Sequence, residues 1–340
     1  MNGYERIKAA VEGRHADTRP VMLHNFMMAA REAGYTMAAY REDPRKIAAS
    51  FIQAVETYQY DGVVVDVDTA TLAGAVGVPI DFPEEQPARA FGPKLTRLEQ
   101  VRDLDPVSVD SYRYVQNWIE AVRILVDYFQ DEIYVRGNCD QAPFSLASMM
   151  RTPERWMMDL ITDEENAFLL LEYCAAATCQ FIRLMAQTGC HMVSNGDSPA
   201  GPEMISPAMY RKFALPYEKR VVEEAHELGL PYALHICGRT DAILKDMLDT
   251  GADCFELDYK TDITSAFSIL KDAACLIGTI DPSGVLALGT VDDVKYQTNR
   301  LLDIYSGSAR FILNAGCAIP AETPSENLRA MIAAAREHRS

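Results

Sequence analysis

The chain has 340 residues, 49% of them hydrophobic and 24% charged, a composition that supplies a folded core and excludes a disordered or fibrous protein. A formal net charge of -17 argues against nucleic acid or anionic lipid as partner, because both are held by clustered Lys and Arg. No apolar run reaches the roughly eighteen residues a membrane span needs, and the start lacks a leader pattern, so a cytoplasmic protein is expected.

Taken in chain order, short apolar or β-branched runs bounded by turn residues predict eight strands. They are RPVMLHN (19–25), YDGVVVDVD (60–68), EIYVRGNCD (132–140), CHMVSNGD (190–197), PYALHIC (231–237), DCFELD (253–258), ACLIGTID (274–281) and ARFILNAGC (309–317). Helical patterns fill most intervals, among them DPRKIAASFIQAVETYQ (43–59), TDAILKDMLDTG (240–251), DITSAFSILKD (262–272) and VDDVKYQTNRLLDIYSG (291–307). One helix is signed at both ends: Ser206 as N-cap, Pro207 in the first turn and Gly229 just past the end, with Pro216 predicting a break inside it. Eight apolar strands alternating with helices define a single-domain (β/α)8 TIM barrel over residues 1–340. An open doubly wound sheet is disfavoured by the lack of a Gly-rich turn after the first strand. Residues 70–130, after the second strand, are too long for a plain connection and are expected to form an inserted cap. SPAGPEMIS (198–206) forms a second long loop on the side where such barrels do their chemistry.

The strands turn polar only at their C-terminal ends, where Asn25, Asp68, Asp140, Asp197, His235, Cys237, Glu256, Asp258, Asp281 and Cys317 fall. Any one of these reads equally well as a cap of the next helix; together they line a funnel. His235 and Cys237 stand at i and i+2 of one strand and therefore point to the same face, a ready imidazole and thiolate pair for a metal. Two ligands alone also describe a buried histidine beside a buried cysteine. Cys317, in LNAGCAIP at the end of the eighth strand, adds a third, and Gly316 before it permits a close backbone approach. One nitrogen and two sulfurs with an open fourth position are the pattern of a catalytic zinc site. Cys139 is the alternative third sulfur. The remaining cysteines, with no C-x-x-C among the eight, are expected to be reduced and buried. His24 reads as a core histidine or a ligand-orienting one, His191 as structural, and His15, His226 and His338 as surface residues.

LHICGRT together with NAGCAIPAETPSENLRAMIAAAR resembles the uroporphyrinogen decarboxylase superfamily, and within it the zinc-dependent corrinoid methyltransferases. The likeness covers nearly the whole chain, most clearly residues 186–336. It implies Zn2+ on His235, Cys237 and Cys317, and methyl transfer between a corrinoid (cobalamin) and a small thiol or methylated small molecule. It also implies a partner protein that carries the corrinoid, since the barrel uses every predicted strand. Asp197 and Glu256 are then candidates for catalytic carboxylates, a transient fourth ligand included, while Asn25, Asp68 and Asp258 are candidates for substrate binding. Asp68 matches an aspartate of the decarboxylase branch, but Asn25 stands where that branch has an arginine for substrate carboxylates. The alternatives are a metal-free carboxy-lyase and a non-catalytic corrinoid- or tetrapyrrole-binding barrel.

Overall fold

The computed structural model describes residues 1–338. Eight strands lie in one parallel sheet in sequence order: β1 Met22–Leu23, β2 Gly62–Val65, β3 Tyr134–Gln141, β4 Met192–Gly196, β5 Tyr232–Ile236, β6 Cys254–Leu257, β7 Cys275–Ile280 and β8 Phe311–Ala315. A parallel bridge from Val21 to Leu313 brings the first strand against the last, so the sheet curls into a barrel. All eight predicted strands are present, with ends trimmed to the residues that pair.

The inward residues change character along each strand. At the N-terminal end Met22, Val64, Tyr134, Met192, Ala233, Cys254, Cys275, Ile277 and Ile312 form an apolar plug, against which Ile7, Ala10 and Val11 of the helix Gly3–Val11 pack. Two residues further along β3 to β6, on the same face, come Arg136, Ser194, His235 and Glu256. The plug closes one end of the barrel, so only the polar C-terminal end is left to receive a ligand.

Residues 66–112 form the cap. It holds the helix Thr71–Ala75, a two-residue antiparallel hairpin of Ile80–Asp81 with Arg89–Ala90, and the 3-10 turn Leu98–Asp103. The expected limit at residue 130 is corrected: the helix Arg113–Phe129 is the ordinary crossover between β2 and β3, with its apolar face packed against the helix Pro44–Tyr58. Two buried arginines moor the cap. Arg41 donates to the carbonyls of Pro83 and Gln86, and Arg151 to that of Leu95.

The break predicted at Pro216 takes the form of a π-helical turn, Tyr210–Ala214, before the helix Leu215–Glu227, where Pro216 falls in the first turn and its missing N–H costs nothing. The helix Glu164–Ala186 is long and apolar enough to cross a membrane, but it packs between Pro143–Arg151 and Leu215–Glu227 in the helical layer of the barrel.

Candidate functional site

A cavity of about 260 Å³ opens at the C-terminal mouth, and His235, Cys237 and Cys317 line it. Among the described residues these three form the group whose nitrogen and sulfur donors all lie within 4.8 Å of one another. His235 Nε2 is 2.9 Å from Cys237 Sγ, and the two sulfurs are 3.7 Å apart. Two thiolates bound tetrahedrally to zinc at about 2.3 Å sit about 3.8 Å from each other, so the sulfur pair already has the spacing of such a site. An imidazole nitrogen and a thiolate on the same ion stand about 3.5 Å apart; the observed hydrogen bond is shorter, and His235 has to withdraw by several tenths of an ångström.

The backbone sets this geometry. His235 lies one residue before the end of β5, with its Nδ1 2.9 Å from the Glu256 carbonyl oxygen. A carbonyl can only accept, so Nδ1 carries a hydrogen, and Nε2 is the nitrogen that faces the sulfurs and would be free to ligate a metal once it gives up its own proton. After Cys237 the chain turns sharply at Gly238, whose φ is +84°, and the Gly238 N–H donates to Asp258 Oδ2 at 2.8 Å. Cys317 arrives from β8 through Gly316. A Cβ there would lie 2.6 Å from the Tyr259 nitrogen, so only glycine lets the end of β8 approach the loop after β6 this closely.

The three groups are electrically coupled. The hydrogen bond with Cys317 and the nearby His235 lower Cys237 towards the thiolate, and the same bond together with burial raises Cys317. Burial opposes charge on His235, but Cys237 and Glu256 outweigh it and lift the imidazole to about 10.

A buried charge network lies beneath. Arg136 donates to Glu256 and, at 2.8 Å, to Ser194 Oγ. Glu256 is held well below the usual carboxylate range: burial opposes this, but Arg136, His24 and His235 prevail. His24 stands 2.7 Å from Asp66 Oδ2 and 3.4 Å from Glu256 Oε1. Burial opposes its protonation, yet those two acids raise it to about 9.

Of the five candidate catalytic and substrate-binding residues, Glu256 and Asp68 line the cavity, as does Asp140 of the expected funnel, whereas Asp281 borders a separate depression. The other three of the five do not, and these expectations are corrected. Asp197 is fully buried just past β4, where Oδ1 accepts from the amide and hydroxyl of Ser145 and burial raises its carboxyl to about 6. Asp258 is occupied with the Gly238 and Lys260 amides, so it braces the loop that carries Cys237 instead of facing the cavity. Asn25 is buried at the start of the helix Phe26–Glu32, away from the cavity that its neighbours Phe26 and Met27 line. Cys139 is buried with its thiol directed at the Gly137 carbonyl. His338, expected at the surface, is half-buried beside Asp303.

Reading the sequence missed Arg136 and Asp66. Arg136 had a signal: a lone arginine at the centre of an otherwise apolar strand has to find a buried partner. A larger open depression of about 630 Å³, bordered by Arg239, Lys260 and Arg300, lies on the β6–β7 flank, but the clustered donors are in the smaller cavity.

An eight-stranded barrel with polar side chains converging at the C-terminal mouth defines the class, a TIM-barrel enzyme. The profile of the uroporphyrinogen decarboxylase family matches residues 2–338, and the chain belongs to that family. Among its relatives, "Methylcobamide:CoM methyltransferase MtbA" of Methanosarcina mazei is 33% identical over 279 residues, 78% of this chain and 80% of the relative. "Uroporphyrinogen decarboxylase" of Trichodesmium erythraeum is 29% identical, covering 96% of this chain and 94% of its own. A solved methyltransferase from Methanosarcina mazei superposes with a TM-score of 0.90 at 21% identity, covering 99% of both chains, and so shares the fold.

Proposed function

We propose that this protein is a zinc-dependent methyltransferase, moving a methyl group between a corrinoid and a small thiol or methylated small molecule. The observation that carries the reading is the convergence of His235 Nε2, Cys237 Sγ and Cys317 Sγ at the rim of an open cavity. The likeness to the Methanosarcina mazei methyltransferase supports it. Among the described residues that line the cavity, Arg136 is committed to Glu256 and His24 to Asp66, which leaves the decarboxylase reading without a free cation there for a polycarboxylate.

Zinc on the three donors would keep a bound thiol as thiolate near neutral pH or, in the other direction, polarise the heteroatom of a methylated substrate. The protein's own groups prepare that chemistry. The Glu256 carbonyl fixes the ring of His235, and Asp258 fixes the turn that carries Cys237. Arg136 keeps Glu256 ionised, and Asp66, hydrogen-bonded to His24 Nε2, together with the nearby Glu256 favours the protonated form of His24. Phe26, Met27 and Pro87 supply apolar wall that excludes water. A cavity of about 260 Å³ accommodates a small molecule and not a corrin ring, so the corrinoid presents its methyl group from above, carried by a partner protein docked over the mouth. A cytoplasmic setting keeps both thiols reduced.

Metal analysis and methyl transfer test the proposal. Purified protein should hold one zinc per chain, lose it in the His235→Ala/Cys237→Ala variant, and exchange methyl groups between methylcobalamin and a thiol. Cys317→Ser should weaken zinc retention at least about tenfold while Cys139→Ser leaves it near wild type. A metal-free protein with full activity, or the opposite ranking of the two cysteines, overturns the reading.

A further inference from the structure

Two acids outside the cavity are buried side by side. Asp197 follows β4, Glu218 stands on the helix Leu215–Glu227, and both are 0% exposed. Asp197 Oδ1 accepts from the amide and the hydroxyl of Ser145, and Glu218 Oε2 accepts from the Tyr210 hydroxyl. Each acid has one oxygen left over: Asp197 Oδ2 and Glu218 Oε1 are buried with no other partner among the described residues. The two side chains are within hydrogen-bonding reach of each other.

One proton satisfies both oxygens. Two carboxylates in contact and out of water cannot both be ionised. Asp197 receives two hydrogen bonds and Glu218 one, so the charge belongs on Asp197 and the proton on Glu218 Oε1, from which it is donated to Asp197 Oδ2. Burial, with Asp197 beside it, raises Glu218 well above the usual carboxylate range. The groups around the pair are Ser145, Tyr210, Tyr232 and Cys174, none of them a cation. The π-helical turn Tyr210–Ala214 makes the Tyr210 contact possible: residues eight apart stand about 80° out of line on a regular α-helix, and the wider turn carries Tyr210 back over Glu218.

The pair is tied to the proposed metal donors through the backbone. The Asp197 amide donates to the His235 carbonyl at 2.7 Å, and the Cys237 amide donates to Ser198 Oγ at 3.4 Å. The turn that begins at Asp197 therefore grips β5 at the two residues that carry its donors. We infer that Glu218, as the neutral acid, is a positioning residue: its proton pins Asp197, and through Asp197 and Ser198 it holds the end of β5 where His235 and Cys237 would meet the metal. This rests on the proposed zinc site and adds to it a residue that lines neither the cavity nor the donor set.

Two substitutions in the zinc-loaded protein test it. Glu218→Gln keeps both bonds, since its amide group donates to Asp197 while its oxygen accepts from Tyr210; Glu218→Met has similar length and makes neither. Chelator competition should show zinc held about tenfold more weakly in Glu218→Met and within about twofold of wild type in Glu218→Gln. With cobalt(II) in place of zinc, the sulfur-to-cobalt absorption bands should shift in Glu218→Met alone. Wild-type affinity and spectrum in Glu218→Met, or equal impairment of the two variants, overturns the inference. Should Glu218→Met fold poorly, Tyr210→Phe, which deprives Glu218 of one bond, should weaken zinc by about threefold, and no change there overturns the inference as well. A wild-type protein that holds no zinc would instead count against the proposed function. Deuterium exchange of the metal-free protein then decides: the Asp197 amide should exchange at least about tenfold faster in Glu218→Met than in wild type or Glu218→Gln, and equal rates overturn the inference.

Discussion

Arg136 and Glu256 face each other inside the barrel, each almost fully buried. Removing one charge would strand the other, so Arg136→Met should cost about 3 to 5 kcal/mol in a denaturant titration. The Arg136→Met/Glu256→Gln double variant should recover part of the loss. Asp68 makes a pH prediction of opposite character. Its carboxyl is raised by burial from the ordinary 3.8 to about 6, with Asp66 adding to the shift, so the folded state favours the protonated acid. The stability this gives is complete below pH about 4 and is lost as pH rises through about 6. Relative to wild type, Asp68→Asn should therefore gain on the order of 2 to 3 kcal/mol between pH 4 and 8, read as a shift in denaturation midpoint. At this scale the sequence was legible where residue type and spacing left one chemistry open, as in His235-x-Cys237. It was not legible at Asp197 and Asp258, because an acid at the end of a strand can serve the cavity or a nearby amide equally well. The direction of the side chain decides, and one strand's sequence does not contain it.

Elements, not isolated residues, bring the third donor into place. The end of β8 lies against the backbone at Asp258 and Tyr259 with no room for a methyl group at Gly316. Gly316→Ala should push Cys317 outward and lower zinc affinity by roughly ten- to hundredfold with a smaller effect on unfolding, measured by chelator competition. The strands were readable because burial on both faces writes a continuous apolar run with turn residues at each end. Ser206 and Gly229 were readable for a similarly local reason, the capping chemistry of a helix end. The end of the cap was not. Arg113–Phe129 carries the apolar stripe of any surface helix, and only its packing on Pro44–Tyr58 shows that it belongs to the barrel.

Over the whole molecule, one end of the barrel is plugged with apolar side chains while the other gathers charge, and the helix Gly3–Val11 closes the plugged end. This polarity is inherent in the order of residues along each strand, which is why the location of the site was available before its detailed make-up. The ring of strands is uneven, however. β1 contributes two paired residues, and its junction with β8 relies on the Val21–Leu313 bridge, with backbone bonds from Leu313 to Pro20 and from Ile319 to His24 on either side. Such a hoop opens first at its thinnest join. The amide hydrogens of Leu313 and Ile319 should exchange with deuterium sooner than those of Val193 and Leu234, which sit in the continuous β4–β5 ladder. That join separates His24 from Cys317, so its breathing would widen the very gap through which a bulky visitor has to reach the sulfurs.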